Sequence, residues 1–220
     1  QRGELMDSLN GLNNISMLTE LYEFTTADGY FNSPVKDTVA YFDLFFRKVP
    51  DKGGFAIMAG LSQVIEYLKN IHFTKEDIDF LREQGISDAF CDYLKDFKFT
   101  CDVWAIPEGT PIFPNEPIVK VRGPVVEAQL IETALLMFIN QQSLIATKAN
   151  RLVRASHSTT VAEYGTRRAQ GFSQAVLGAR AAYIGGCSLT SGIIPQKLFG
   201  IPSVNTMIHS WVQMFDSEYE

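Results

Sequence analysis

From residue 161 onward, short apolar segments alternate with helix-forming segments, and this alternation is the feature that most constrains the fold. Strands are expected over 161–164, 183–186 and 203–206, and helices over 172–182, over 193–199 and from 210. Alternation of this kind predicts parallel strands joined by crossover helices. About three such units fit, whereas a closed barrel of this type takes eight strands. We therefore expect 158–220 to form the first part of an α/β barrel that is incomplete in this chain.

The first 122 residues lack this regular alternation and contain helix and strand candidates in an irregular order. Thr74 and Asp77 form a box-like cap at the start of one helix. The aromatic and β-branched segment 39–47 predicts a strand buried on both sides except where Asp43 and Arg47 emerge. The other expected elements are helices over 19–30, 55–69, 74–85 and 87–97 and strands over 101–106 and 117–121.

The segment 123–157 predicts one long apolar helix. Gly123-Pro124 begins it, because proline is tolerated in the first helical turn, and Glu127 suits the positive end of a helix. Apolar residues on several sides of this helix require cover from more than one neighbour. We expect it to connect the N-terminal domain to the barrel, and a contact between two subunits is a competing use.

Composition and charge exclude several classes of function. The 220 residues carry a net charge of −6, so no dense basic surface is expected for nucleic acid or an anionic membrane. No segment approaches the roughly 20 apolar residues of a membrane span, which favours a cytoplasmic protein. Three cysteines without CxxC spacing favour reduced, mostly buried thiols over a disulfide framework or a zinc site.

Two segments in the last third carry groups suited to phosphate chemistry. In Glu163-Tyr164-Gly165-Thr166-Arg167-Arg168-Ala169-Gln170-Gly171, adjacent arginines follow a glycine turn and offer multi-donor forks for anions. In Asn205-Thr206-Met207-Ile208-His209-Ser210-Trp211-Val212, a histidine lies where a strand should give way to a helix. Both segments resemble the nicotinate phosphoribosyltransferase family.

The resemblance continues, in order, through most of the chain. It includes the segments 14–23, 42–47, 54–61 and 213–218. It implies an N-terminal α+β domain packed on an irregular α/β barrel of the type II phosphoribosyltransferase kind, in a homodimer with shared active sites. The family's later serine-glycine-aspartate segment and glycine-rich phosphate loop have no counterpart here, which indicates a fragment or an incomplete sequence.

The implied reaction joins nicotinate to 5-phosphoribosyl 1-pyrophosphate (PRPP) and releases pyrophosphate, giving nicotinate mononucleotide for NAD biosynthesis. Mg²⁺ and cationic side chains would stabilise the charge that develops on the leaving group. The resemblance also implies ATP as a co-substrate that phosphorylates a histidine, and His209 occupies the matching position. No metal-ligating residue is singled out by the sequence.

The resemblance assigns further roles residue by residue. Arg167 and Arg168 match an arginine pair that meets PRPP and the nicotinate region, and Tyr22 matches a tyrosine that stacks on the pyridine ring from the partner subunit. Thr206 matches a threonine of the nicotinate pocket. The remaining substrate-binding candidates are Thr190 and Ser191. Two other histidines, His72 and His157, lack such a context and are expected to be structural or solvated.

Three positions depart from the family pattern. Leu189 and Asn205 replace glycines, and Ile208 replaces an alanine next to His209. Leucine would crowd a close backbone approach that glycine permits. Two alternatives therefore stay open: a phosphoribosyltransferase acting on nicotinamide or quinolinate, and a non-catalytic, truncated or diverged homologue. Comparison of the three pyridine substrates separates the enzymes, and turnover separates either from the binding protein.

Overall fold

A computed structural model describes residues 14–157 and 159–217. The start of the predicted N-terminal domain (1–13), the first residue of the predicted barrel segment (158) and Glu218 of the last matching segment lie outside this range. The elements in chain order are α1 (Leu21–Phe31), β1 (Val39–Leu44), β2 (Ala56–Ile57), α2 (Leu61–Asn70), α3 (Lys75–Glu83), α4 (Asp88–Leu94), β3 (Asp102–Ala105), β4 (Pro111–Ile112), β5 (Val119–Pro124), α5 (Val125–Gln129), α6 (Glu132–Ala155), β6 (Ala162–Glu163), α7 (Phe172–Ile184), β7 (Leu189–Thr190), α8 (Ile193–Phe199) and α9 (His209–Val212).

The main sheet of the N-terminal part is antiparallel, in the order β1-β5-β3. Exposure alternates along β1, and Tyr41 is 63% exposed. The prediction of a strand buried on both sides is therefore wrong, because only one face of this sheet is covered by the core. β1 also ends at Leu44, so Arg47 lies beyond the strand.

The predicted helix 55–69 is wrong at its start, where β2 pairs with β4 instead. The N–H groups of Ile57 and Ala59 donate to the hydroxyls of Thr147 and Ser143 on α6, at 2.9 and 3.0 Å. Because these donors are satisfied by α6, the extended backbone stays buried without a wider sheet. Gly60 then turns the chain into α2 with a φ of 101°.

The two short helices that follow confirm their predicted starts. Thr74 caps α3 by accepting from the N–H of Asp77, and the Asp77 carboxylate accepts from the N–H of Thr74 at 2.8 Å. The next helix, α4, is capped by Ser87. Both helices bury one apolar face in the largest core cluster, through residues such as Ile78 and Phe90.

The predicted long helix is interrupted at its start. β5 runs on to Pro124, α5 forms one short segment, and the 24-residue α6 begins only at Glu132. α6 contacts β2 and α2 on the N-terminal side and packs closely on α7. The division into domains at residues 122 and 157 stays a prediction.

Parallel pairing dominates the last third, as the alternation predicts. β6 pairs with β7, and a parallel bridge joins Thr190 to Ser203. The predicted strand 183–186 is wrong, because α7 continues to Ile184 and the strand follows at 189–190. The predicted strand 203–206 contributes only the bridge at Ser203. Within the described ranges the parallel segments do not close, so the partial barrel stays a prediction.

An ion pair joins α7, in the last third of the chain, to the N-terminal part that precedes α6. Arg180 on α7 donates to both carboxylate oxygens of Glu108, at 2.9 and 2.6 Å, and Glu108 also accepts from the N–H of Gly60 at 2.7 Å. The two side chains are only 17% and 19% exposed. This contact fixes α7 against the β2–α2 turn.

No helix in the described part of the chain is long and apolar enough to cross a membrane.

Candidate functional site

Most of the candidate residues lie at or after the ends of three neighbouring parallel segments, which are β6, β7 and the segment at Ser203. Backbone hydrogen bonds define the order: Ser191 N–H donates to the Glu163 carbonyl at 2.8 Å, and Val204 N–H donates to the Thr190 carbonyl at 2.9 Å. The carboxyl ends of parallel strands meet at one edge of a sheet, where ligands bind in α/β folds. The loops that carry the arginine pair, Ser191 and His209 therefore leave from the same edge.

The first two loops share a carboxylate. Glu163 ends β6, and its Oε1 accepts from the N–H of Gly165, while its Oε2 accepts from the Thr190 hydroxyl at 2.8 Å. The Thr190 oxygen in turn accepts from the N–H of Gly192 at 3.1 Å. Thr190 has no exposed surface, so its hydroxyl is occupied by protein contacts in this structure, and its substrate role stays a prediction.

Arg167 and Arg168 lie in a 3-10 turn over Thr166–Arg168. The turn is closed by the Arg168 N–H, which donates to the Gly165 carbonyl at 2.8 Å. Both side chains are exposed, and neither forms an ion pair with a carboxylate of the described residues. The arginine pair thus presents two guanidinium groups to solvent beside the strand edge.

The third loop carries Thr206 and His209, both exposed. His209 is the first residue of the four-residue α9, one position before the predicted start. The neighbouring apolar side chains of Met207, Ile208 and Trp211 are also exposed, each by 60% or more. His209 is therefore open to solvent on an apolar loop.

Tyr22 lies apart from these loops. It lines a cleft of about 620 Å³ together with Arg47 and Glu132, and the described lining of this cleft includes none of the other candidates. Tyr22 as a whole residue is 44% exposed. Partial burial and a hydrogen bond to Glu132 raise the pKa of the Tyr22 hydroxyl to about 12.

Comparison with known proteins identifies the family. The model of the nicotinate phosphoribosyltransferase N-terminal domain matches residues 17–140, more than half of the chain. The chain belongs to the nicotinate phosphoribosyltransferase family.

Individual relatives extend the likeness beyond that domain. Nicotinate phosphoribosyltransferase pncB2 of Mycobacterium tuberculosis is 44% identical over 204 residues, which cover 92% of this chain and 44% of the relative. The Bacillus subtilis nicotinate phosphoribosyltransferase is 43% identical over 206 residues, covering 93% of this chain and 42% of the relative. The crystal structure of human nicotinic acid phosphoribosyltransferase matches with a TM-score of 0.82 and 35% identity, over 90% of this chain and 40% of the human chain. The chain thus spans less than half the length of these relatives.

Leu189, one departure from the family pattern, is accommodated by the strand. It lies in β7 opposite Ala162 and is partly buried. A side chain at a paired strand position needs no unusual backbone conformation. The crowding of a close approach to this loop by Leu189 stays a prediction.

The described residues include no cluster of side chains of the kind that holds a metal ion by itself. No group of three or more His, Cys, Asp or Glu side chains comes together within residues 14–157 and 159–217. Glu163, the acid nearest the arginine turn in sequence, has both oxygens engaged.

The other two histidines lie in different surroundings. His72 contacts the Asn70 carbonyl through Nδ1 at 2.6 Å, and His157 follows α6 with a φ of 46°. Glu163 is not among the candidates that the sequence singles out, and its oxygens accept from Gly165 and Thr190 rather than from Arg167 or Arg168. The position of Glu163 at a strand end, two residues before a glycine turn, is the sequence signal for a carboxylate that forms hydrogen bonds to neighbouring loops.

Proposed function

We propose that the protein acts as a nicotinate phosphoribosyltransferase, or as part of one, and forms nicotinate mononucleotide and pyrophosphate for NAD biosynthesis. One observation carries this proposal beyond family membership: the exposed Arg167 and Arg168 have no carboxylate partner among the described residues and lie at the edge from which the His209 loop also leaves. Two unpaired guanidiniums are suited to the anionic groups of PRPP.

In this proposal the arginines mainly stabilise the negative charge that develops on the leaving pyrophosphate. The bond from the ribose to pyrophosphate breaks as the pyridine nitrogen attacks, and the electron pair leaves with the pyrophosphate. Fixed cationic donors lower the energy of that charge. Arg167 is the preferred phosphate ligand, and Ser191 and Thr206 donate hydroxyl groups at the same edge.

Tyr22 supplies the ring contact to nicotinate from the partner subunit of a homodimer. The separate cleft and the half-exposed residue support this assignment, because a second copy is needed to bring such a ring to the arginine loops. Like any tyrosine at neutral pH, Tyr22 is uncharged and adds no negative charge beside the carboxylate of nicotinate. The protein is proposed to work in the cytoplasm.

ATP enters through His209. The imidazole accepts the γ-phosphoryl group, ADP leaves, and later hydrolysis of the phosphohistidine releases phosphate and drives synthesis. The exposure of His209 supports this role, since both ATP and water need access to the ring. Mg²⁺ would be the required cofactor, and it would neutralise negative charge on the phosphate groups of ATP and PRPP.

The test is a comparison of nicotinate, nicotinamide and quinolinate as substrates of the intact protein with PRPP and Mg²⁺, with and without ATP. We expect product from nicotinate and stimulation by ATP. His209→Asn should abolish the stimulation and the phosphohistidine detected by acid-labile ³²P, whereas the control His72→Asn should keep both.

Undiminished ATP stimulation in His209→Asn would overturn the histidine assignment. Preference for another pyridine would favour the related phosphoribosyltransferases. PRPP binding without any product would favour the non-catalytic homologue.

A further inference from the structure

We propose that Glu163 is a positioning residue that locks the arginine turn and the Thr190–Ser191 loop together and leaves the positive charge of the arginines available to substrate. This inference rests on the proposed function and names how its phosphate site is held.

The geometry of the carboxylate carries the inference. Each oxygen of Glu163 accepts from a different loop: Oε1 from the Gly165 N–H and Oε2 from the Thr190 hydroxyl at 2.8 Å. The Glu163 carbonyl accepts from the Ser191 N–H at 2.8 Å. One residue thus holds the starts of both loops through three hydrogen bonds.

The chain of contacts continues on both sides. Gly165 accepts the Arg168 N–H through its carbonyl at 2.8 Å, which closes the arginine turn. On the other side Thr190 accepts the Gly192 N–H at 3.1 Å. A displacement of the carboxylate would therefore be transmitted to the backbone of the arginine turn and to the loop after β7.

The negative charge of Glu163 lies close in sequence to the positive charges of Arg167 and Arg168. A carboxylate close in sequence to two arginines ordinarily forms an ion pair, and such a pair would offset the charge that attracts an anion. Here both oxygens accept from neutral donors instead, so Glu163 does not occupy the guanidinium groups of Arg167 and Arg168. The lack of a side chain at Gly165 also permits this arrangement, because a Cβ there would lie 2.7 Å from Oε1 of Glu163.

A purely structural role predicts a different outcome from a positioning role. If Glu163 only stabilises the fold, its removal lowers the melting temperature and leaves the KM for PRPP unchanged in the folded protein. If Glu163 positions the arginines, KM for PRPP rises selectively. Small displacements of a positioned group can cost up to about a hundredfold in rate or affinity.

The experiment compares Glu163→Ala and Thr190→Val with wild type in the intact protein, measuring KM for PRPP and nicotinate, kcat and the melting temperature. We expect a rise in KM for PRPP of about tenfold or more in each variant, with KM for nicotinate changing by less than about threefold. Because both side chains belong to one contact, the two effects should not add. The KM for PRPP of the double variant should be at most about twice that of the single variant with the higher KM.

Two further variants keep the test sharp. Thr190→Ser retains the hydroxyl and should recover most of the affinity lost in Thr190→Val, even if Glu163→Ala fails to fold. Glu83→Gln removes the same charge from an exposed position at the end of α3 and should leave KM unchanged.

A KM for PRPP within about twofold of wild type in both Glu163→Ala and Thr190→Val, or additive effects in the double variant, would overturn the inference. An inactive wild type would instead reject the proposed function, so the two failures are distinguishable.

Discussion

The ion pair between Arg180 and Glu108 offers a direct test of how the two parts of the molecule are held together. Arg180→Met removes the guanidinium and keeps a side chain of similar reach. It leaves the Glu108 carboxylate largely buried, with the Gly60 N–H among its remaining donors. We expect a loss of unfolding free energy of about 2–3 kcal/mol, between the ~0–1 kcal/mol of surface pairs and the ~3–5 kcal/mol of buried pairs that lose one partner.

The pair also has a defined pH dependence. Burial works against ionisation of Glu108, but the hydrogen bonds and charge of Arg180 outweigh it and hold the pKa of Glu108 below its usual value. A lowered pKa in the folded state stabilises the protein above the unfolded pKa, about 4.3 for glutamate, and this contribution is lost as pH falls through the folded pKa. The difference between wild type and Arg180→Met should therefore shrink below about pH 4.

Urea unfolding at several pH values measures this difference. The matched control is Arg122→Met, because Arg122 pairs with Asp102 at 3.0 Å on the exposed face of the sheet. It should cost about 1 kcal/mol or less. Equal losses for Arg180→Met and Arg122→Met, or a difference from wild type that does not shrink at all as the pH is lowered, would refute the reasoning.

Three further predictions concern local conformation and reactivity. Gly60→Ala should destabilise by more than about 3 kcal/mol, because its φ of 101° is unfavourable and the new Cβ would lie 2.3 Å from a carbonyl of α6; Gly85→Ala, with a φ of 87° and open space, should cost only about 1 kcal/mol in thermal unfolding. Thr74→Ala should lower the melting temperature modestly, through a loss of about 1 kcal/mol at the cap of α3, and Thr74→Ser should not. Burial and a neighbouring buried glutamate raise the pKa of the Cys101 thiol to about 12, so its reaction with a thiol reagent at pH 8 should be slow in the native protein and fast in urea; rapid native labelling would contradict this.

Some elements could be predicted because their causes are local. The cap of α3 depends on Thr74 and Asp77, which lie three residues apart. The family, too, could be inferred from ordered motifs such as the arginine turn. In these places the residues themselves restrict the backbone or carry the resemblance.

Other elements depended on distant partners. The segment after Phe55 is extended because α6 supplies hydroxyl acceptors some 90 residues away in sequence, as Thr147 does for Ile57. The open face of β1 exists because only one side of the sheet is covered, which no pattern within 39–47 reveals. Long-range hydrogen bonding and burial outweighed local propensity in both cases.

The sequence by itself determined the residue types of the candidate site, since two arginines after a glycine and a histidine after a polar segment are local facts. Only the tertiary structure decided how those groups are used. In the folded protein Glu163 forms hydrogen bonds with Gly165 and Thr190 rather than with the arginines, and Tyr22 lines a separate cleft. The physical reason is that a carboxylate binds whichever donors the neighbouring strand brings within reach, and strand pairing is settled by the whole chain.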